Sequence, residues 1–200
     1  MRIFVLANWP QPMMKRIVIT GGPGTGKTVL VEALESKGYA CFHEVIREMT
    51  FEAKKRDTNG EIKTNPLAFV PDPLAFNRQI LEGRVRQFRD AAELQEAIVF
   101  FDRGIPDVIA YMDYFDQAYD HEFIAPCRDL RYDMAVVLPP WRAIYRQDGE
   151  RLESYEEACE IHQCLLDSYR QCGYRVQSLP PGTVEERIES LLQLISGADG

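Results

Sequence analysis

The chain has 200 residues, 46% of them hydrophobic, a formal net charge of −8 and a pI near 5.0. That length gives a single domain room for a full core, while the acidic balance argues against a nucleic-acid surface, which needs a basic patch. No apolar run approaches a membrane span, and Met1-Arg2-Ile3-Phe4-Val5-Leu6-Ala7 has too short an apolar core, and no small-residue cleavage site, for a signal peptide.

Residues 1–13, with Trp9, Pro10 and Pro12, read as a peripheral extension: either the strand-like Ile3-Phe4-Val5-Leu6 pairs at a sheet edge, or Met13 or Met14 is the natural start, since Met14-Lys15-Arg16 leads directly into the first strand. Residues 14–200 read as one domain. Arg16-Ile17-Val18-Ile19-Thr20 is a short buried strand rich in β-branched residues. It runs straight into Gly21-Gly22-Pro23-Gly24-Thr25-Gly26-Lys27-Thr28, which satisfies the Walker A pattern G-x-x-x-x-G-K-[ST] at every position. Glycines there let successive backbone N–H groups turn inward around an anion. Lys27 reaches the terminal phosphates of a nucleotide, and the Thr28 hydroxyl holds Mg²⁺. Gly22, Pro23, Gly24, Thr25, Gly26, Lys27 and Thr28 are therefore the candidate nucleotide cradle. Val29, Leu30, Ala33 and Leu34 then repeat at helical spacing up to Gly38, so the positive end of a helix faces the same phosphates.

Tyr39-Ala40-Cys41-Phe42 is a second short strand, followed by His43-Glu44 and a helix start with Val45, Ile46 and Met49 on one side. From Thr50 to Asp72 the pattern breaks into charged and turn-forming residues, a long connection of the functional or mobile kind. Asp72 is an N-cap and Pro73 the first residue of the longest helix. Leu74, Leu81, Val85, Phe88 and Ala92 share the face expected to meet the sheet. Gln79, Gly83 and Arg86 share a nearly opposite face, which is either solvated or turned to a ligand, Gly83 leaving room for close approach. Ala97-Ile98-Val99-Phe100-Phe101 is a central parallel strand, with a helix after it marked by Val108, Ile109, Met112 and Phe115. Met134-Ala135-Val136-Val137-Leu138 is a further strand, stopped by Pro139-Pro140. Capping boxes Ser154-x-x-Glu157 and Thr183-x-x-Glu186 open the last two helices, with a strand at Tyr174–Leu179 between them. Strands alternating with helices define an α/β three-layer sandwich around a parallel sheet of about five strands, with ligands at the carboxyl ends of the strands.

Residues just past each strand therefore carry the chemistry. Asp102 either holds Mg²⁺ through water or caps the next helix. Glu44 either accepts a proton from a substrate hydroxyl or begins a helix as a favourable N-terminal charge. Arg103 is placed to grip a substrate. Arg142, Arg146 and Arg151 surround a turn that either closes over the nucleotide or is a solvated charged loop. Phe76, Gln79 and Arg86 of the long helix are candidate acceptor contacts. Cys41, Cys127, Cys159, Cys164 and Cys172 are odd in number and include no C-x-x-C, as for reduced thiols in the cytoplasm, and the three histidines form no metal-binding spacing.

The Walker loop, Glu44-x-x-Arg47, Phe101-Asp102-Arg103-Gly104, the arginine-bearing turn around Asp148-Gly149, and Gly173-Tyr174 with Leu179-Pro180 together resemble the NadR-type AAA ATPase-like family, from about residue 14 to residue 195. That family is similar to nucleoside and nucleotide kinases, ribosylnicotinamide kinase domains among them. The resemblance implies a kinase-like P-loop NTPase fold using ATP or GTP and Mg²⁺, with Asp102 near the metal, Arg103 near the acceptor, and Arg146 and Arg151 in a lid. It includes phosphotransferases and nucleotide-binding regulators. The expected activity is thus transfer of the γ-phosphate to a nucleoside-like or other small hydroxyl or phosphate acceptor. The alternative is a regulatory protein, ATPase or GTPase with no small-molecule acceptor.

Overall fold

The computed structural model describes residues 14–47, 72–145 and 153–198. The extension 1–13, most of the Thr50–Asp72 connection, Arg146 and Arg151 lie outside the described residues.

β1 (Lys15–Gly21) leads through the glycine loop into α1 (Lys27–Ser36) and β2 (Ala40–Phe42). The long helix α2 (Pro73–Asp90) precedes β3 (Ile98–Asp102), followed by α3 (Pro106–Tyr114), α4 (His121–Asp129) and β4 (Met134–Leu138). α5 (Tyr155–Gln171), β5 (Gln177–Ser178) and α6 (Val184–Gly197) complete the described chain. All pairings are parallel, in the order β2-β3-β1-β4-β5. β1 is thus central, with Ile19 beside both Asp102 and Val136, and the glycine loop emerges from the middle of the sheet's carboxyl edge.

Alternation along the strands builds a core on each face. Ile17 and Ile19 of β1 and Phe100 of β3 join Leu30, Leu34, Ile188 and Leu191 under α1 and α6. Val18 and Phe101 point the other way, to Phe76, Ile80, Val108 and Tyr169. Each such fully buried side chain contributes roughly 1.5–3 kcal/mol. The caps are those the sequence announces. Asp72 accepts from Ala75 N at 3.0 Å, and both Ser154/Glu157 and Thr183/Glu186 form reciprocal capping boxes.

Two expectations are corrected, and one element is added. α4, which carries Pro126 inside it, is not among the expected elements; Asp120 caps it by accepting from Glu122 N at 2.9 Å. β5 is shorter than Tyr174–Leu179, because Tyr174 turns inward and its hydroxyl accepts from Tyr132 N at 3.0 Å. The apolar face of α2 agrees with the expected one in part: Leu81 and Phe88 are buried and Val85 half-buried, but Leu74 is 45% exposed and Ala92 is exposed, and Phe76 and Ile80 are buried instead.

Gly83 has a packing reason. A Cβ there would lie 2.6 Å from Val45 Cγ1, so the glycine admits the helical turn after β2 rather than a ligand. Gly83→Ala is therefore expected to destabilise by about 1–3 kcal/mol through overpacking, despite a helix-propensity gain of about 1 kcal/mol. Val45→Ala in the same chain is expected to restore part of that loss in urea denaturation, a coupling between touching residues. A Gly83→Ala protein more stable than the parent would contradict this packing account.

Candidate active site

The loop after β1 bends through left-handed backbone at Gly24 (φ 71°) and Gly26 (φ 82°), conformations that glycine adopts without a Cβ penalty. A Cβ at Gly24 would also lie 2.8 Å from the ring of Tyr145. No side chain caps the N-terminus of α1, so its first-turn amides are left to an external acceptor. Lys27 is 7% exposed, and its ammonium donates to Gly22 O at 2.7 Å, across the mouth of the loop. From behind, Arg187 of α6 donates through Nη1 to Thr25 O at 2.9 Å and through Nε to Pro180 O at 3.2 Å. Its guanidinium, 5.6 Å from the Trp141 ring centroid, ties the last helix to the loop.

Beside the loop, β2 and β3 deliver a network of buried charge. Arg103 Nε lies 2.6 Å from Glu44 Oε1, with both side chains largely buried. Arg103 Nη1 donates to Gly21 O at 3.2 Å and approaches Asp107 Oδ1 at 3.4 Å, and the guanidinium stands 5.3 Å from the Tyr111 ring centroid. These contacts hold Arg103 in left-handed backbone (φ 72°), a conformation costing about 1–3 kcal/mol outside glycine. Asp107, fully buried at the start of α3, collects Thr20 Oγ1 at 2.7 Å, Gly104 N at 2.9 Å and Tyr169 OH at 2.6 Å. Arg84 of α2 donates to Gly104 O at 2.8 Å. Gly104 has no space for a Cβ, which would meet Tyr169 Oη at 2.5 Å.

This crowding sets the protonation states. Burial alone would raise the Glu44 carboxyl, but the cations of Arg103, Arg84 and Lys27 hold it below the usual carboxylate range. Asp107 is likewise held low against its burial by Arg84, Arg103 and the Thr20 and Tyr169 hydrogen bonds. Asp102 goes the other way: burial pushes its carboxyl up. Lys27 is pulled down to about 7, first by burial and then by the Arg103 charge. A bound polyphosphate would restore the ammonium, since an opposite charge favours the charged form. Calorimetry in buffers of differing ionisation enthalpy is expected to show nucleotide binding taking up a proton, approaching about one per site at about pH 8 and shrinking towards about pH 6. Binding without uptake across that range would contradict the lowered Lys27.

Glu44, Arg103 and Phe76 line one cavity of about 260 Å³, and so does Pro23 of the glycine loop. Its long wall is α2, through Phe76, Asn77, Ile80 and Arg84; its opposite wall is α3, through Asp107, Val108 and Tyr111, with Phe115 and Gln117 just beyond. Gln79 and Arg86 do not join it. Both are exposed on the far side of α2, because the helix turns Asn77, Ile80 and Arg84 inward instead. Of the two readings of their face, solvated or turned to a ligand, the exposure of Gln79 and Arg86 fits the solvated one. Arg142 is exposed and paired with Glu156 at 3.2 Å, while Arg146 and Arg151 fall outside the described residues.

Asp102 and Thr28 are the candidate positions for a magnesium ion. Asp102 is 3% exposed, and its Oδ1 accepts no hydrogen bond among the described residues. Thr28 Oγ1 already accepts from a cation, Arg47 Nη2, at 2.7 Å. The buried, unpartnered Asp102 oxygen suits a hard, oxygen-seeking metal; Thr28 Oγ1 would have to exchange the Arg47 guanidinium for it. Sequence reasoning missed Asp107, Arg84, Asn77, Gln117 and Arg187. A signal existed for two of them: Asn77 and Arg84 stand seven apart on a helix, next to the apolar Phe76 and Ile80, and so share a buried stripe.

The fold has known counterparts. The chain is similar to thymidylate kinase from Candida albicans, with 17% identity over 93% of this chain and 92% of that one and a TM-score of 0.66. It is similar to deoxyadenosine kinase from M. mycoides, with 19% identity over 91% and 99% of the two chains and a TM-score of 0.59. It is also similar to the NadR protein solved in complex with NR, with 20% identity over 83% of this chain, 44% of that one, and a TM-score of 0.55. At these identities the similarity is one of fold, that of the P-loop kinases. No curated protein sequence matches the chain. Residues 16–187 match the AAA domain family, and the chain therefore belongs to that family.

Proposed function

We propose that the protein is a small-molecule kinase that transfers the γ-phosphate of ATP or GTP to a hydroxyl or phosphate group of an acceptor held in the cavity beside the glycine loop. The observation that carries this reading is the shared wall: Pro23 of the loop lines the same enclosure as Glu44 and Arg103. A phosphoryl donor and an acceptor brought together in one pocket convert an encounter into a positioned reaction. A nucleotide-binding regulator has no need of that pocket. The fold counterparts, two of them named as kinases, give the same direction.

In this reading the inward amides of residues 22–28 and the Lys27 ammonium bind the polyphosphate. Thr28 and Asp102 would hold Mg²⁺, which supplies neutralisation of the phosphate charge. Glu44 remains ionised, and with Arg103 engaging Oε1 its other oxygen is left for the acceptor hydroxyl proton. Arg103 fixes that carboxylate and places positive charge beside the moving group. Arg146 and Arg151 would add lid cations. The free thiols of all five cysteines support a cytoplasmic setting, and among the described residues no helix is long and apolar enough to cross a membrane.

The test is to incubate the protein with ATP, Mg²⁺ and a panel of nucleosides, their phosphates and other small alcohols. ADP release that depends on an acceptor supports the kinase; tight nucleotide binding with no acceptor-stimulated turnover supports the regulator.

A further inference from the structure

Arg187 is a buried charge that the reading above leaves unused. It lies in the first turn of α6 and is 4% exposed. A guanidinium keeps its proton in a protein, so a full positive charge is enclosed there. Arg103, also buried beside the loop, is matched by the carboxylates of Glu44 and Asp107. Arg187 is not: burial lowers it from its ordinary value, and no acid among the described residues offsets that. Its bonds run to two carbonyls, Thr25 O and Pro180 O. Its Nη2 is buried with no acceptor among the described residues. A buried cation without a counter-charge is costly, and this one stands against the back of the phosphate loop, where a Cβ on Gly26 would lie 3.0 Å from Nη1.

The Thr25 C=O and the Gly26 N–H belong to one planar trans peptide and point in opposite directions. Gripping the carbonyl from behind therefore turns the Gly26 N–H away from α6. That N–H donates to no backbone carbonyl among the described residues, which leaves it for an anion. A cationic donor on the carbonyl also polarises the peptide and strengthens its N–H as a donor. Nε meanwhile holds Pro180 in the turn after β5, and the Trp141 ring past β4 faces the same guanidinium. Segments leaving β1, β4 and β5 are tied to a single charge.

We propose that Arg187 is a positioning residue for nucleotide binding: it orients and polarises the Thr25–Gly26 peptide from behind, and a polyphosphate on the other side of the loop supplies the counter-charge it lacks. The proposal rests on the nucleotide-binding part of the reading above and adds to it a residue that touches no substrate. By linkage, a nucleotide that completes this charge also tightens the anchoring of α6.

The experiment is titration calorimetry of the full chain with Mg²⁺ and ATP, or GTP where GTP binds tighter, on the parent, Arg187→Gln and Arg187→Lys. Glutamine keeps an amide donor without the charge; lysine keeps the charge without the planar fork. The dissociation constant is expected to rise about tenfold or more in Arg187→Gln, the scale of a lost charge-assisted contact. Arg187→Lys is expected to stay within about threefold of the parent. Thermal unfolding checks that both variants are folded. In the parent, hydrogen exchange over residues 184–190 is expected to slow on adding the nucleotide with Mg²⁺, a readout that decides the matter even where a variant fails to fold. Unchanged affinity in a folded Arg187→Gln, an equal loss in Gln and Lys variants, or unaltered exchange in α6 of the nucleotide-bound parent each overturns this proposal and leaves the kinase reading standing. A parent that binds neither ATP nor GTP overturns both.

Discussion

Lys27→Ala is expected to lower phosphoryl transfer about 10³-fold or more, the scale of losing a cation that stabilises a transferring phosphoryl group. The same variant is expected to melt no lower than the parent. The reason is electrostatic. Lys27 is buried with its pKa lowered to about 7, so below that pH the fold carries an ammonium that burial disfavours. A lysine whose folded pKa lies below its unfolded value withholds stability at low pH and returns it as pH rises from the folded value towards the unfolded one, here from about 7 towards 10.5. Removing the amine removes that penalty together with the hydrogen bond to Gly22 O. Undiminished turnover in this variant would end the kinase reading. A large loss of melting temperature would instead show that Lys27 is a structural post.

Asp107 carries the largest expected effect on stability. Asp107→Ala strips acceptors from Thr20, the Gly104 amide and Tyr169 and leaves Arg103 with one carboxylate fewer, all of it buried. Breaking a buried charge network on one side costs about 3–5 kcal/mol, equivalent to roughly 10 °C in melting temperature for a chain of this size. Asp107→Asn keeps the shape and part of the acceptor capacity, and is expected to cost about 1–3 kcal/mol. Its second effect is on rate: Arg103 loses the partner that helps hold its left-handed backbone, so kcat is expected to fall more than nucleotide affinity. Chemical denaturation and steady-state kinetics on the two variants check both parts. An Asp107→Ala protein within about 0.5 kcal/mol of the parent, the range of ordinary surface substitutions, would refute the network's role.

What the sequence made legible divides along a physical line. Local chemistry was readable: the glycine loop, the Asp72 cap, both capping boxes and the apolar strands all appear where their residue types require them. Three-dimensional phase was not. The turn at Val45 packs against Gly83 of α2, and no spacing within the helix encodes that contact. Gln79 and Arg86, read as either solvated or turned to a ligand, stand exposed, while Asn77 and Arg84, each two residues away, line the cavity. Buried polar hubs were hidden for a related reason. Asp107 looks like an ordinary first-turn acid of a helix opened by Pro106; only the convergence of Thr20, Tyr169 and Arg103, from three other parts of the chain, reveals its work. Glu44 was readable as a residue past a strand. Its pairing with Arg103 needed the parallel contact of β2 with β3.

The most direct measurement is titration calorimetry of the purified chain with ATP and with GTP in the presence of Mg²⁺. The account predicts saturable heat for at least one of them, with one nucleotide bound per chain and the signal lost in Lys27→Ala. Correctly folded protein that returns no heat with any nucleoside triphosphate would contradict it.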